Sequence, residues 1–172
     1  MTIRTTVIMG FLIAIAAVLH VVESWLPVPV PIPGAKLGLA NVVTLIALVW
    51  LGRRSALVIA AGRVMIASLL GGSLAGPAFV MSLSGAISSL VVMDAGWRYG
   101  SRYFSVVGIS VLGAVTHSLV QLVVAAVLVA SSSVLWYLPW LVLFSLPTGI
   151  VTGVAAGAFL RYTSQFSSMQ KF

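Results

Sequence analysis

Residues 31–45 read Pro31-Ile-Pro-Gly-Ala-Lys-Leu-Gly-Leu-Ala-Asn-Val-Val-Thr-Leu45. Proline fixes φ and withholds an amide donor, and glycine permits a turn, so this stretch leaves a stiff extended segment and turns at Gly34. Lys36 then stands at the mouth of an apolar run that carries Asn41 near its start. A cation and a carboxamide cost free energy at the edge of a hydrocarbon layer, so the pair marks this helix entrance as a place with a polar role.

The rest of the chain explains what the entrance opens into. Of 172 residues, 61% are hydrophobic and 6% charged, and the mean hydropathy is +1.21. Soluble domains carry about 25% charged residues. The composition therefore specifies an all-α integral membrane protein: one domain over residues 1–172, with no room for a separate soluble domain. Cysteine is absent, which excludes a disulfide framework, a thiol nucleophile and a thiolate metal site. The net charge of +7 is a membrane-topology signal rather than a nucleic-acid one, because basic residues collect on the cytoplasmic side. Ala14-Ile-Ala16 has the look of a signal-peptide cleavage site, but the apolar run continues through Val22 and only Arg4 precedes it, so the segment reads as a retained helix.

A bilayer core of about 30 Å takes about 20 apolar residues per helix. The apolar runs predict six transmembrane helices, over 5–26, 37–51, 55–70, 78–96, 104–130 and 135–160. The second and third, at about 15 residues or roughly 22 Å each, are short. Pro27, Pro29, Pro31 and Pro33 make the first loop extended, Gly52-Arg53-Arg54 separates the short pair, and Gly71 to Pro77 breaks the chain before the fourth run. With the N-terminus inside, Arg4, Arg53, Arg54, Arg98, Arg102, Arg161 and Lys171 are all cytoplasmic, and of the loop cations only Lys36 lies outside. This asymmetry predicts an N-in, C-in, multi-pass protein of the cytoplasmic membrane. Trp25, Trp136, Tyr137 and Trp140 then fall at the outer interface, and Trp50, Trp97, Tyr99 and Tyr103 at the inner one. Gly149, Gly153 and Gly157 recur at four-residue spacing on the sixth helix, and Gly10 and Ala14 on the first, as small residues do where helices pack closely in lipid.

Ionisable groups inside membrane helices are costly and mark sites unless they merely pair. His20 and Glu23 share a face of the first helix, either as an interfacial polar patch or as part of an outward-facing site. Arg63 lies mid-helix, suited to a structural carboxylate or to an anionic ligand, since its planar fork fits carboxylate and phosphate. Asp94 is expected to pair with Arg98, one turn on. His117 and Gln121 project from one face of the fifth helix, to bond a neighbouring helix or a ligand. Lys36 either snorkels to headgroups or contacts a ligand. The candidate substrate-binding set is thus Lys36, Asn41, Arg63, His117 and Gln121, with Glu23 peripheral. Catalysis finds little support, because the two carboxylates fall near opposite faces and cannot together hold a diphosphate's metal. No phosphate-binding glycine loop is present, so ATP energy would come from a partner. No metal site or cofactor is expected.

Pro33-Gly-Ala-Lys-Leu-Gly-Leu-Ala-Asn-Val-Val-Thr-Leu-Ile-Ala-Leu48 resembles the signature of the membrane family called heptaprenyl diphosphate synthase component I, or the Gx transporter family. Matching blocks follow in order: Arg63-Val-x-x-x-Ser68-Leu-Leu-Gly-Gly-Ser73, Ser82-Leu-Ser-Gly-Ala-x-Ser-Ser-Leu-Val-Val-Met93, Gly108-Ile-Ser-Val-Leu-Gly-Ala-Val-Thr-His117, Tyr137-Leu-Pro139 and Thr148-Gly-Ile-Val-Thr-Gly153. The family tends to read His-Asn-x-Gly-Gln on the fifth helix, where this chain has His117-Ser-Leu-Val-Gln121, which removes any contact made by that asparagine. The family is similar in size and topology to the substrate-binding S components of energy-coupling factor transporters. That resemblance implies capture of a vitamin-like small molecule at the outer face. It also implies partnership with a transmembrane coupling protein and two ATPases, docked on a first-helix motif at Gly10 and Ala14. The competing expectation is a non-catalytic membrane subunit serving prenyl diphosphate or quinone biosynthesis. A solitary ion-coupled carrier is a third.

Overall fold

The computed structural model describes residues 3–25, 39–100 and 102–169. Lys36 and the proline segment therefore lie outside the described residues, as does Lys171. The described chain forms α1 (Ile3–Trp25), α2 (Asn41–Leu51), α3 (Arg53–Leu70), α4 (Pro77–Gly100), α5 (Val106–Val129), a 3-10 helix (Ser132–Tyr137) and α6 (Leu138–Met169).

The shortest helix sits in the middle. α2 has 11 residues, all apolar except Asn41 and Thr44, and so apolar a helix is stable when buried among others. It touches α1, α3, α4, α5 and α6. The other five form an arc around it in the order α1, α3, α4, α5, α6, and α1 and α6 do not meet. The core gathers around α2, with Leu45 and Leu48 packed among Met9, Ile59, Leu90, Met93 and Ile109. Outside the arc, Val7, Phe11 and Val18 on α1 and Ile150, Val151 and Val154 on α6 are exposed apolar side chains. Ile3–Glu23, Pro77–Gly100, Val106–Val129 and Ser132–Thr163 are each long and apolar enough to cross a membrane. The molecule is a helical membrane protein.

Several helix limits differ from those the sequence suggests. Gly52 alone reverses the chain between α2 and α3: its φ of +84° is costly for a residue with a Cβ. Arg53 and Arg54, expected in the loop, form the first turn of α3 instead. The sequence opens the second helix at Leu37, but among the described residues Leu39 and Ala40 are a turn, with the Val42 amide donating to the Leu39 carbonyl at 3.1 Å. α3 closes on Gly72 at φ +64°, with Ser73 N–H donating back to Ser68 O at 2.9 Å, which satisfies the terminal carbonyls. α4 continues past Gly96 to Gly100, stapled by the Asp94–Arg98 pair at 2.8 Å. α5 is trimmed at both ends, by a Ser105 cap that accepts from the Gly108 amide and by Ala130 in a left-handed conformation. The expected start of the sixth helix is a 3-10 turn, and α6 proper carries Pro139 in its first turn, where a missing amide costs nothing. No proline or glycine interrupts residues 158–169, so α6 runs beyond the expected Leu160.

The glycine stripe on α6 is also only partly a packing surface. A Cβ on Gly149 or Gly153 would lie 2.7 Å from the α-carbon of Val111 or Val107, whereas nothing stands within 4 Å of one on Gly157. Gly157 instead lines an open cleft of about 730 Å³ between α4, α5 and α6.

Candidate functional site

Asn41 and Arg63 are equidistant in sequence from the Gly52 turn, so the antiparallel α2–α3 hairpin sets them side by side. The Arg63 Nη2 donates to Asn41 Oδ1 at 2.7 Å, and the two side chains are 1% and 4% exposed. Because α2 is only 11 residues long, about 16 Å, this pair sits inside the bundle rather than at its end. The amino terminus of α2, with its partial positive charge, faces the same region.

α1 supplies the opposite charge. Glu23 is 2% exposed, and its carboxylate acts electrostatically on the Arg63 guanidinium. His20, one turn before it, is equally buried. Both face the bundle interior rather than the surface.

The register between α3 and α4 places the remaining groups. Arg53 and Asp94 meet at 3.7 Å. Ten residues along α3 from Arg53 stands Arg63, and nine back along α4 from Asp94 stands Gly85, which helical rise carries to a similar depth, about 14 Å away in each case. At Gly85 a Cβ would come 3.0 Å from the His117 ring and 3.1 Å from Gln121 Cγ. The missing side chain on α4 is what lets the His117–Gln121 face of α5 approach. Both α5 residues are buried, and His20, Glu23, His117 and Gln121 each have an interaction partner.

These polar groups therefore come from four helices, α1, α2, α3 and α5, with α4 contributing the gap at Gly85. Of the sequence-derived candidates, Glu23, Asn41 and Arg63 are brought together and His117 and Gln121 share a second contact at similar depth. Lys36 lies outside the described residues. Asp94 pairs with Arg98 as expected, and also reaches Arg53. Gly10 and Ala14 are exposed on the face of α1 that points away from the bundle. Reading side chains for charge misses Gly85, along with the fully buried Thr44, Ser82 and Ser89. The Ser82, Gly85, Ser89 spacing of small residues on one face of α4 is the signal that could have found three of them.

The site is rich in unused donors. Among the described residues, Arg63 Nε and Asn41 Nδ2 are buried without a hydrogen-bond partner, and so are the hydroxyls of Thr44, Ser82 and Ser89. A buried N–H left unpaired costs about 1–3 kcal/mol, so such groups ask for an acceptor. The arrangement suits a ligand bearing a carboxylate or phosphate oxygen at Arg63 and Asn41. Among the described residues, no three of His, Asp and Glu come together as a metal-ligand set.

The model of one protein family, described as heptaprenyl diphosphate synthase component I, matches residues 12–159. The chain belongs to that family. The match takes in Glu23, Asn41, Arg63, Gly85, His117 and Gln121, and Ala14 but not Gly10, so the heptaprenyl diphosphate synthase component I region spans the whole polar cluster. No curated protein and no solved structure matches the chain.

Proposed function

We propose that this protein is the membrane-embedded capture component of an importer of the energy-coupling factor type. In this reading the chain crosses the cytoplasmic membrane six times with both termini inside. It binds a small, acceptor-rich organic molecule at the outer half of the bundle. The observation that supports the reading is the buried Arg63–Asn41 pair, in which two N–H donors have no partner among the described residues, beside the amino terminus of a half-length central helix. Short helices that end inside a membrane protein are a recurring way to present a positive dipole end to an anionic substrate. Lys36 adds a cation for the ligand, Glu23 orients Arg63, and His117 and Gln121 hold the far end of the ligand. The exposed Gly10–Ala14 face of α1 receives the transmembrane coupling protein, and two ATPases supply the energy, so the chain itself is not an enzyme.

Mass spectrometry of what copurifies from the native membrane tests this. A coupling protein, two ATPases and a small organic anion are expected; transport by the purified chain alone in liposomes sinks the proposal. Arg63→Ala removes charge-assisted hydrogen bonds worth about 1.5–3 kcal/mol, an affinity loss of roughly ten- to a hundredfold in a binding assay on folded protein. Unchanged affinity removes Arg63 from the site.

The family description favours a second reading, a membrane subunit that holds a lipid diphosphate for a prenyl diphosphate synthase. The same donors would take the diphosphate, and copurification of a soluble prenyl synthase in place of ATPases would select it.

A further inference from the structure

A second polar constellation lies at the opposite end of the bundle from Arg63. Leu51, Gly52, Arg53, Arg54, Leu57 and Arg98 line an open groove of about 540 Å³ where the α2–α3 turn meets the end of α4. Two of its three arginines flank one carboxylate. Asp94, 7% exposed, takes the Nε of Arg98 on Oδ1 at 2.8 Å and approaches the Nε of Arg53 with Oδ2 at 3.7 Å. Both contacts run through Nε, so the Nη groups of these half-exposed side chains have no carboxylate partner among the described residues. Arg54 lines the same groove with no carboxylate beside it among the described residues. The local balance is two net positive charges, on half-exposed side chains rather than buried ones.

The groove also has an apolar continuation. Leu57 forms part of its wall, and Leu57, Val58 and Val91 are exposed along α3 and α4 just beyond it. Given the Arg53–Asp94 register, Leu57 and Val91 stand at similar depth on neighbouring helices. A hydrocarbon chain can lie there while a phosphate occupies the arginines.

We infer that this groove is a binding site for an anionic phospholipid, with the headgroup phosphate held by the Nη groups of Arg53, Arg54 and Arg98 and an acyl chain laid along Leu57 and Val91. Charge complementarity selects the occupant: three guanidiniums offer donors, the carboxylate that two of them contact is already paired, and the groove's mouth opens onto the exposed apolar surface of α3 and α4. Asp94 is a positioning residue. It draws together two guanidiniums that would otherwise repel each other.

The test is native mass spectrometry of the full chain released from bilayers with equal amounts of phosphatidylglycerol and phosphatidylcholine of identical acyl chains. The wild-type protein retains phosphatidylglycerol preferentially, and each of Arg54→Gln and Arg98→Gln lowers that preference by about fivefold, the contribution of one basic residue near a charged headgroup. Arg161→Gln, at the same end but outside this groove, leaves it unchanged. Asp94→Asn separates a built site from bulk attraction. Adding a net positive charge should raise retention of an anionic lipid if only bulk charge matters, whereas loss of the clamp lowers it. Equal retention of the two lipids by the wild type, or stronger phosphatidylglycerol binding by Asp94→Asn, overturns the inference. Displacement of the lipid by inorganic phosphate at tenfold excess over it would mark a free-anion site and overturn it as well. Should any variant fail to fold, the wild-type preference and the phosphate competition decide alone.

Discussion

Gly149, Gly153 and Gly157 look equivalent on α6, yet alanine at each should give opposite results. At Gly153 the new Cβ would stand 2.7 Å from Val107 Cα and 2.9 Å from Ser110 Cβ. Carbon atoms prefer about 3.5–4.0 Å, so the helices must part by about 1 Å. The nearest atom is backbone, with no rotamer to move aside. Overpacking of this kind costs about 1–3 kcal/mol, and a backbone clash belongs at the upper end. Replacing glycine inside a helix returns about 1 kcal/mol. The net expectation for Gly153→Ala is a loss of about 2 kcal/mol, and Gly149→Ala, which meets Val111 Cα at 2.7 Å, should match it. Gly157→Ala meets nothing within 4 Å and keeps only the gain, about 1 kcal/mol. For a chain of this size the expected melting-temperature shifts in detergent are roughly −4 to −8 °C for the first two and +2 to +4 °C for the third. A fall at Gly157 equal to that at Gly153, or no change at Gly153, refutes the described α5–α6 packing.

Three further outcomes follow from the same geometry. Gly85→Ala meets side chains of His117 and Gln121 rather than backbone, so stability should change by less than about 1 kcal/mol; ligand affinity, measured by titration calorimetry, should fall about tenfold as the pair is pushed off its position. The Ser110–Thr152 hydroxyl bond at 2.8 Å joins α5 to α6, and a double-mutant cycle of Ser110→Ala with Thr152→Val should report a coupling near 0.6 kcal/mol, the average for such bonds in a membrane. Gly52→Ala places a Cβ where φ is +84° and should lower thermal stability by about 1–2 kcal/mol without altering the helical circular dichroism of the folded protein.

Composition alone was enough to read the helical membrane class, and single polar or charged residues inside apolar runs were enough to single out Glu23, Arg63, His117 and Gln121, all of which are buried. Those signals are local: each is one costly residue in an otherwise cheap environment. The central place of α2 is not local. Its shortness was visible, but that five helices would surround it depends on contacts between distant segments that no period in the sequence encodes. Gly85 escaped for a related reason, since its importance lies in what α5 presents to it. Arg53 and Arg54 read as a loop because paired arginines usually sit in one, whereas Gly52 can reverse the chain by itself. Gly157 matched its neighbours in spacing and differed only in what stood opposite.

The surrounded position of α2 has a consequence for how the protein is made. An 11-residue helix is too short to be held in a bilayer by its own hydrophobicity, so during synthesis it depends on its hairpin partner α3 and then on walls that emerge later. The last of those walls to be synthesised is α6, which begins at Leu138. Until residues beyond Leu138 have entered the membrane, one side of α2 faces lipid rather than protein. Assembly of the core is therefore a late event, and the half-built bundle is the stage at which a chaperone or quality-control protease in the membrane has most to recognise.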